Sequence, residues 1–294
     1  MPEGNRRRGH GVLLARAAAT TQGLRTKSAI SRLPLCAGVL VRYHRWVVRI
    51  LITGASGALG RHLVLASPLA EDELLTPSSS DLDVTDERAV VGCLREFEPN
   101  TVIHCAARIR SRGADSPEQR LAMSRVNVYG AGQVARAAKE VGARLVHVST
   151  DFVFDGSKPG GLYRETDVPC PLGYYPLTKA AAEPLALGCP GALVVRLSFN
   201  ESWPYPRAFS DRFTSKLPVA VAAHQLALAA KSELSGLLHL GGPRRSYLEF
   251  ARTLGADVEP MTLAEVDGPD PLPVDTSLDT TRWRAHRHGT SSDA

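Results

Sequence analysis

Val47-Val-Arg-Ile-Leu-Ile-Thr-Gly54-Ala-Ser-Gly57-Ala-Leu-Gly60-Arg-His-Leu-Val64 is the stretch from which the fold follows. Val47–Thr53 is apolar and β-branched apart from Arg49, as a parallel strand buried on both faces requires. It runs directly into three glycines spaced G-x-x-G-x-x-G, and Ala58–Ala66 then reads as a helix. A glycine trio alone is weak evidence, because glycine is common at turns. A buried strand before it and an amphipathic helix after it give it meaning. Gly54 permits the tight turn, Gly57 lets the backbone approach a pyrophosphate, and Gly60 lets the helix pack close to the strand. Free N–H groups and the positive end of the helix dipole then face the phosphates. Gly54, Ser56, Gly57, Ala58, Leu59 and Gly60 are therefore expected to bind a dinucleotide.

Outward from this stretch the chain alternates strands and helices. Strands are expected near Leu74–Thr76, Thr101–Cys105, Arg144–Ser149, Ala192–Leu197 and Leu237–Leu240. Helices are expected at Glu87–Phe97, Ser116–Val141, Tyr175–Leu187, Val219–Leu234 and Tyr247–Leu254. The alternation predicts an α/β protein, a Rossmann-type doubly wound parallel sheet with helices on both faces. Four segments follow: a basic leader over 1–46, a dinucleotide-binding domain over 47–198, a small substrate-binding lobe over 199–285, and a polar, frayed tail over 286–294. Gly268–Pro273 reads as loop.

Of the 294 residues, the first 50 carry ten basic side chains against Glu3 alone, and the other 244 carry 25 basic and 29 acidic. The overall charge of +5 thus comes from the leader, whereas a nucleic-acid-binding protein would place its basic surface on the folded domain. Nucleic acid is discounted. Arginine-rich and nearly acid-free, the leader fits a transit peptide, a disordered extension, or a start placed too far upstream. The last two together are preferred, since composition alone is a weak signal. Its longest apolar run, Leu33–Val41, is nine residues and far too short to cross a bilayer. The five cysteines show no C-x-x-C pair, which fits reduced thiols and a cytoplasmic location. No carboxylate–histidine group has metal-ligand spacing. His104 and His147, on expected strands, read as satisfied core histidines.

Tyr175-Pro-Leu-Thr-Lys179 carries the chemistry. Spacing of four on a helix puts both side chains on one face. A free tyrosine is a poor acid or base at neutral pH, and a nearby ammonium stabilises its phenolate and lowers its pKa. Pro176 is tolerated only in a first turn, which places Tyr175 at the helix start. The third member should be a hydroxyl at the end of the strand Arg144–Ser149: Thr150, with Ser149 as the fallback. In this scheme hydride reaches a ketone carbon while Tyr175 protonates the oxygen, Thr150 holds that oxygen, and Lys179 holds the ribose and tunes Tyr175. Asn127 is expected to anchor a water or a backbone carbonyl, with helix packing the equal alternative. Asp83 and Val84 look placed to contact the adenine, although an aspartate there is more often a turn residue. The end of the second strand reads Leu75-Thr-Pro-Ser-Ser-Ser80, without the acid that holds a ribose diol. Its hydroxyls and Arg61 favour NADPH, with NADH left open.

These residues resemble a known family. The glycine spacing is that of extended short-chain dehydrogenases/reductases. Val148-Ser-Thr-Asp-Phe-Val-Phe-Asp-Gly156, Tyr163-x-Glu165-Thr-Asp167-x-Pro169-x-Pro171 and Tyr175-x-x-Thr178-Lys179-x-x-x-Glu183 are similar to dTDP-4-dehydrorhamnose reductases. Ala106-Ala107, Val126-Asn127, Arg196 and Ser277-Leu-Asp-Thr-Thr-Arg282 also fall where that family has similar residues. The resemblance implies reduction of the 4-keto group of a nucleotide-activated deoxysugar. It assigns Thr150, Tyr175 and Lys179 to catalysis. To the cofactor it assigns the glycine loop, Asp83, Val84, Ala106, Ala107, Asn127, Tyr175 and Lys179. A sugar nucleotide is the expected partner, with neither membrane nor nucleic acid; a homodimer is left open because surface patterning marks no dimer face. Where the family continues Thr-Ser-Trp-Val-Tyr-Gly after its arginine, this chain reads Leu197-Ser-Phe-Asn-Glu-Ser202, and its connection to Phe209–Ala220 is short. In the family that region helps to bind the sugar nucleotide, so the resemblance carries the chemistry further than the substrate identity. Two rivals stand: a related sugar-nucleotide reductase or epimerase, and a non-catalytic dinucleotide-binding regulatory subunit like the β-subunit of methionine adenosyltransferase.

Overall fold

In the computed structural model the glycine stretch forms strand β1 (Arg49–Thr53), a loop, and helix α1 (Ala58–Val64). The residues described are 47–109, 116–266 and 272–290. The leader 1–46 and most of the expected Gly268–Pro273 loop lie outside them. Val48 begins the compact unit that holds the described elements.

The chain continues with β2 (Glu73–Leu75), α2 (Glu87–Phe97), β3 (Thr101–His104), α3 (Pro117–Ser124), α4 (Ala131–Val141), β4 (Arg144–Thr150), α5 (Tyr174–Leu187) and β5 (Leu193–Leu197). After these come short strands β6 (Phe199–Asn200), β7 (Arg207–Phe209), β8 (Phe213–Thr214) and β9 (Leu217–Pro218), then α6 (Val219–Ala230) and β10 (Gly236–His239). The last elements are β11 (Arg245–Ser246), α7 (Tyr247–Thr253), β12 (Glu259–Met261) and α8 (Thr281–Thr290). One sheet of six parallel strands, in the order β10-β5-β4-β3-β1-β2, organises the molecule. It is a Rossmann-type α/β fold.

Alternation along the strands divides the core. Ile50, Ile52, Ile103, Val146 and Val195 pack with Leu59 and Leu63 of α1 and with Ala222, Ala223 and Leu226 of α6. Leu51, Val102, Leu145 and Val194 face Val90 and Leu94 of α2, Val134 and Ala138 of α4, and Ala186 of α5.

Three departures from the sequence reading stand out. The single helix expected over Ser116–Val141 starts with a Ser116/Gln119 capping box and is interrupted by a π-helical stretch at Arg125–Gly130. The 199–285 segment is not wholly separate from the sheet: β10 pairs with β5, and α6 is among its most buried helices. Among the described residues, the paired short strands β6–β9, β7–β12 and β8–β11 stand outside the six-stranded sheet. Finally, α8 runs past Ala285 into the stretch read as a frayed tail, with Trp283 buried in the core.

Candidate functional site

β1 lies between β2 and β3, so the strand order reverses direction there. In open α/β sheets the crevice outside the carboxyl ends of such strands is where ligands bind. Gly54 sits there with φ +72°, and a Cβ on it would lie 2.6 Å from the Ala106 backbone nitrogen. The loop after β1 and the Ala106 segment after β3 are thus in contact through the space that a glycine leaves. A Cβ on Gly60 would run into the Gly54 carbonyl oxygen, as expected of a glycine that lets helix and strand close up. Gly57 is the N-cap of α1, with no side chain capping the helix and no acid in its first turn. Its first amides therefore remain available to an anion. Ser56, Gly57 and Ala107 are exposed, Ala58 and Ala106 half-buried. The Leu59 side chain lies in the core, so only its backbone can face a ligand.

The second-strand residues divide differently. The Asp83 carboxylate accepts from both the amide and the hydroxyl of Thr85 at 2.8 Å, which is the turn role, and Val84 is buried in the core. Ser78 donates to Asp81 at 2.7 Å and shares a hydrogen bond with Ser80. Arg61 donates to the loop carbonyl of Ser56 at 3.2 Å and pairs with Glu201 at 3.1 Å. It is thus engaged by a carboxylate from the segment that departs from the family pattern.

Asn127 lies in the π-helical stretch and is buried. Its Oδ1 accepts from the Arg108 amide at 2.7 Å, and its Nδ2 donates to the Arg108 carbonyl and to Thr178 Oγ1, both at 2.9 Å. The expected backbone anchor is therefore the loop after β3, tied to α5 by one amide.

Helix α5 begins at Gly173, whose φ of +89° turns the chain, so Tyr175 and Pro176 fall in the first turn. Lys179 is buried beside His147 of β4, whose register partner His104 ends β3, and its ammonium donates to His147 Nε2 at 3.4 Å. Burial brings Lys179 down to about 8, partly offset by Cys105 and Glu183. Tyr175 departs from expectation. Burial first, and then the Asp151 carboxylate, push it up to about 12, so desolvation rather than stabilisation of the phenolate sets its acidity.

Of the two hydroxyl candidates, Ser149 is committed elsewhere, donating to Glu183 at 2.6 Å. Thr150 accepts from the Phe152 amide and donates to Asp151, both at 3.2 Å. It can redirect its proton only by releasing Asp151. Asp151 is fully buried, held by Thr150 and, at 3.0 Å, by Thr276. Burial raises its pKa against the opposing charge of Lys216. Lys216 is itself buried, donates to Ser198 at 2.7 Å and lies over the Phe152 ring. Sequence reasoning missed this group. Asp151 was visible beside Thr150, but nothing in Phe209–Ala220 shows that Lys216 turns inward. The two histidines read as satisfied are not fully so: His104 Nε2 and His147 Nδ1 are buried without a hydrogen-bond partner. Among the described residues no cluster of His, Cys, Asp and Glu could hold a metal ion, and no helix is long and apolar enough to cross a membrane.

Comparison with known proteins places this geometry. The family described as RmlD substrate binding domain matches residues 48–217. A dTDP-4-dehydrorhamnose reductase of Mycobacterium tuberculosis is 38% identical over 180 residues, covering 60% of this chain and 57% of that protein. The chain thus matches somewhat more than half the length of that relative. Methionine adenosyltransferase 2 subunit beta of Rattus norvegicus is 35% identical over 157 residues, 51% of this chain and 46% of that protein. A crystal structure of dTDP-4-dehydrorhamnose reductase from Bacillus anthracis in complex with NADP superposes with a TM-score of 0.73 at 26% identity. It covers 82% of this chain and 93% of that one. With over half of its residues matched by the family and a solved member sharing its fold, the chain belongs to the RmlD substrate binding domain family.

Proposed function

We propose that this protein is an NADPH-dependent reductase that converts the 4-keto group of a nucleotide-activated deoxysugar, dTDP-4-dehydro-L-rhamnose, to the alcohol of dTDP-L-rhamnose. The observation that carries the reading is Lys179, a buried ammonium one helical turn from Tyr175 and beside His147 of β4. The residues fit a dinucleotide: Gly54 and Gly60 leave a cradle that a Cβ would fill, and α1 has an uncapped N-terminus. Bound NADPH supplies the hydride. Gly54, Ser56, Gly57, Ala58, Leu59 and Gly60 would hold its pyrophosphate beside Ala106, and Asp83, Val84, Ala107 and Asn127 would complete the cofactor contacts.

Tyr175, held protonated at working pH, is the acid that delivers a proton to the sugar oxygen. Thr150 donates to that oxygen once its hydroxyl swings from Asp151. Lys179 holds the ribose and offsets negative charge as Tyr175 loses its proton. In this reading the paired short strands β6–β9, β7–β12 and β8–β11 would frame the sugar nucleotide, near buried Asp151 and Lys216. A homodimer belongs to the same reading: exposed Tyr129 and Leu185 line one shallow depression on the α4–α5 face, and light scattering would report the oligomeric state.

The experiment is NADPH oxidation followed by absorbance with dTDP-4-dehydro-L-rhamnose, with NADH alongside and Tyr175→Phe as control. Turnover abolished in Tyr175→Phe supports the reading. The relationship to methionine adenosyltransferase 2 subunit beta favours one alternative, a dinucleotide-binding subunit without turnover. Tight NADPH binding with no turnover of this or other keto sugars would select it.

A further inference from the structure

Three polar side chains stand side by side behind α5. Thr53, His104 and His147 are register partners on β1, β3 and β4. Thr53 Oγ1 and His104 Nδ1 are 2.7 Å apart, the two imidazoles stack with centroids 5.3 Å apart, and His147 Nε2 meets Lys179 Nζ at 3.4 Å. Thr53, His104, His147 and Lys179 are all at most 3% exposed. An isolated ammonium at such depth is costly unless acceptors surround it. The groups facing Lys179 are Cys105 after β3, Glu183 on its own helix, His104 on β3 and His147 on β4. Arg196 and Ser149 already hold Glu183, and burial pushes the Cys105 thiol up to about 12, so it is neutral.

Burial, and then the Lys179 charge, push both histidines well below their ordinary range, His104 to about 3. They are neutral at any working pH. A neutral ring has one acceptor nitrogen, so an Nε2 that receives an ammonium proton puts the ring hydrogen on Nδ1. That Nδ1 and His104 Nε2 are the two ring nitrogens left without partners.

We propose that His147 is a positioning residue for Lys179: its neutral ring, protonated on Nδ1, accepts an ammonium proton at Nε2 and fixes where the ammonium stands under the dinucleotide crevice, with His104 and Thr53 bracing the ring. The inference rests on the role given to Lys179 above, and its primary test needs no turnover.

In free protein carrying 13C at the lysine ε-carbon, the Lys179 resonance is identified by its loss in Lys179→Met and titrated in wild type, His147→Leu and His147→Gln. Leucine removes the acceptor and glutamine retains one. The expected result is an acidward shift of the Lys179 midpoint by about one pH unit in His147→Leu, largely reversed in His147→Gln. The alkaline limb of kcat and the NADPH dissociation constant should follow the same order, with KM for the sugar nucleotide unchanged. A Lys179 midpoint unmoved in folded His147→Leu overturns the proposal. So do equal shifts in the two variants, which would mean packing rather than hydrogen bonding. If His147→Leu does not fold, His147→Met makes the same deletion. A protein that fails to reduce any sugar, yet shows the shift, refutes the reaction and leaves this inference standing.

Discussion

Glu183 on α5 and Arg196 on β5 meet in a two-pronged buried ion pair, 2.9 Å from Nε and 2.7 Å from Nη2, and Ser149 of β4 donates to the same carboxylate at 2.6 Å. One carboxylate therefore clamps the helix bearing Tyr175 and Lys179 to two strands of the sheet. Removing one partner leaves an uncompensated buried charge. Arg196→Met is expected to destabilise the fold by about 3–5 kcal/mol, read from chemical denaturation. A loss under about 1 kcal/mol would mean that water reaches the orphaned Glu183.

The same pairing separates the two hydroxyl candidates. Ser149 spends its proton on Glu183, whereas Thr150 stands beside Asp151. Thr150→Val should lower kcat by about 10²–10³-fold with NADPH affinity retained. Ser149→Ala should cost stability and leave kcat nearly intact. Steady-state kinetics on both variants checks this, and the reverse pattern would transfer the role to Ser149.

Activity should fall on the alkaline side first. Lys179 titrates at about 8, well below a free lysine, and Tyr175 at about 12. As pH rises through about 8 the ammonium is lost while Tyr175 keeps its proton, so kcat for reduction should decline there with no tyrosine limb. Stability moves the other way. A lysine with a lowered folded pKa makes the unfolded chain bind more protons between its folded and unfolded values, so Lys179 makes stability rise with pH above about 8. Lys179→Met should remove both effects, as measured by pH–rate profiles and pH-dependent denaturation.

Glycine substitutions should divide by location. A side chain on Gly54 meets the Ala106 backbone from a left-handed conformation, while one on Gly92 of α2 meets nothing within 4 Å. Gly54→Ala should abolish measurable NADPH binding by fluorescence titration. Gly92→Ala should leave binding unchanged and raise stability by about 0.5–1 kcal/mol.

Local pattern was enough for the parts of this protein whose physics is local. The apolar β-branched run before Gly54, the glycine spacing, the period of α2 and the first-turn position of Pro176 predicted β1, the loop, a helix running Glu87–Phe97 and a Tyr175–Lys179 face at a helix start. In each case a backbone conformation or a side-chain period is set by residues a few positions apart. Tertiary structure decided what depends on depth and on distant partners. Tyr175 was expected to be made more acidic by its lysine, yet burial raised it, because desolvation is a property of everything packed around the ring. Lys216 turned inward towards Asp151 from a segment with no periodic signal, and β10 joined the sheet and α6 packed against it from a stretch read as a lobe. Sequence spacing determines which groups a helix or loop can present, but the dielectric around them and the strands they lie against are fixed only when residues more than a hundred positions apart, such as Asp151 and Thr276, close over the same site.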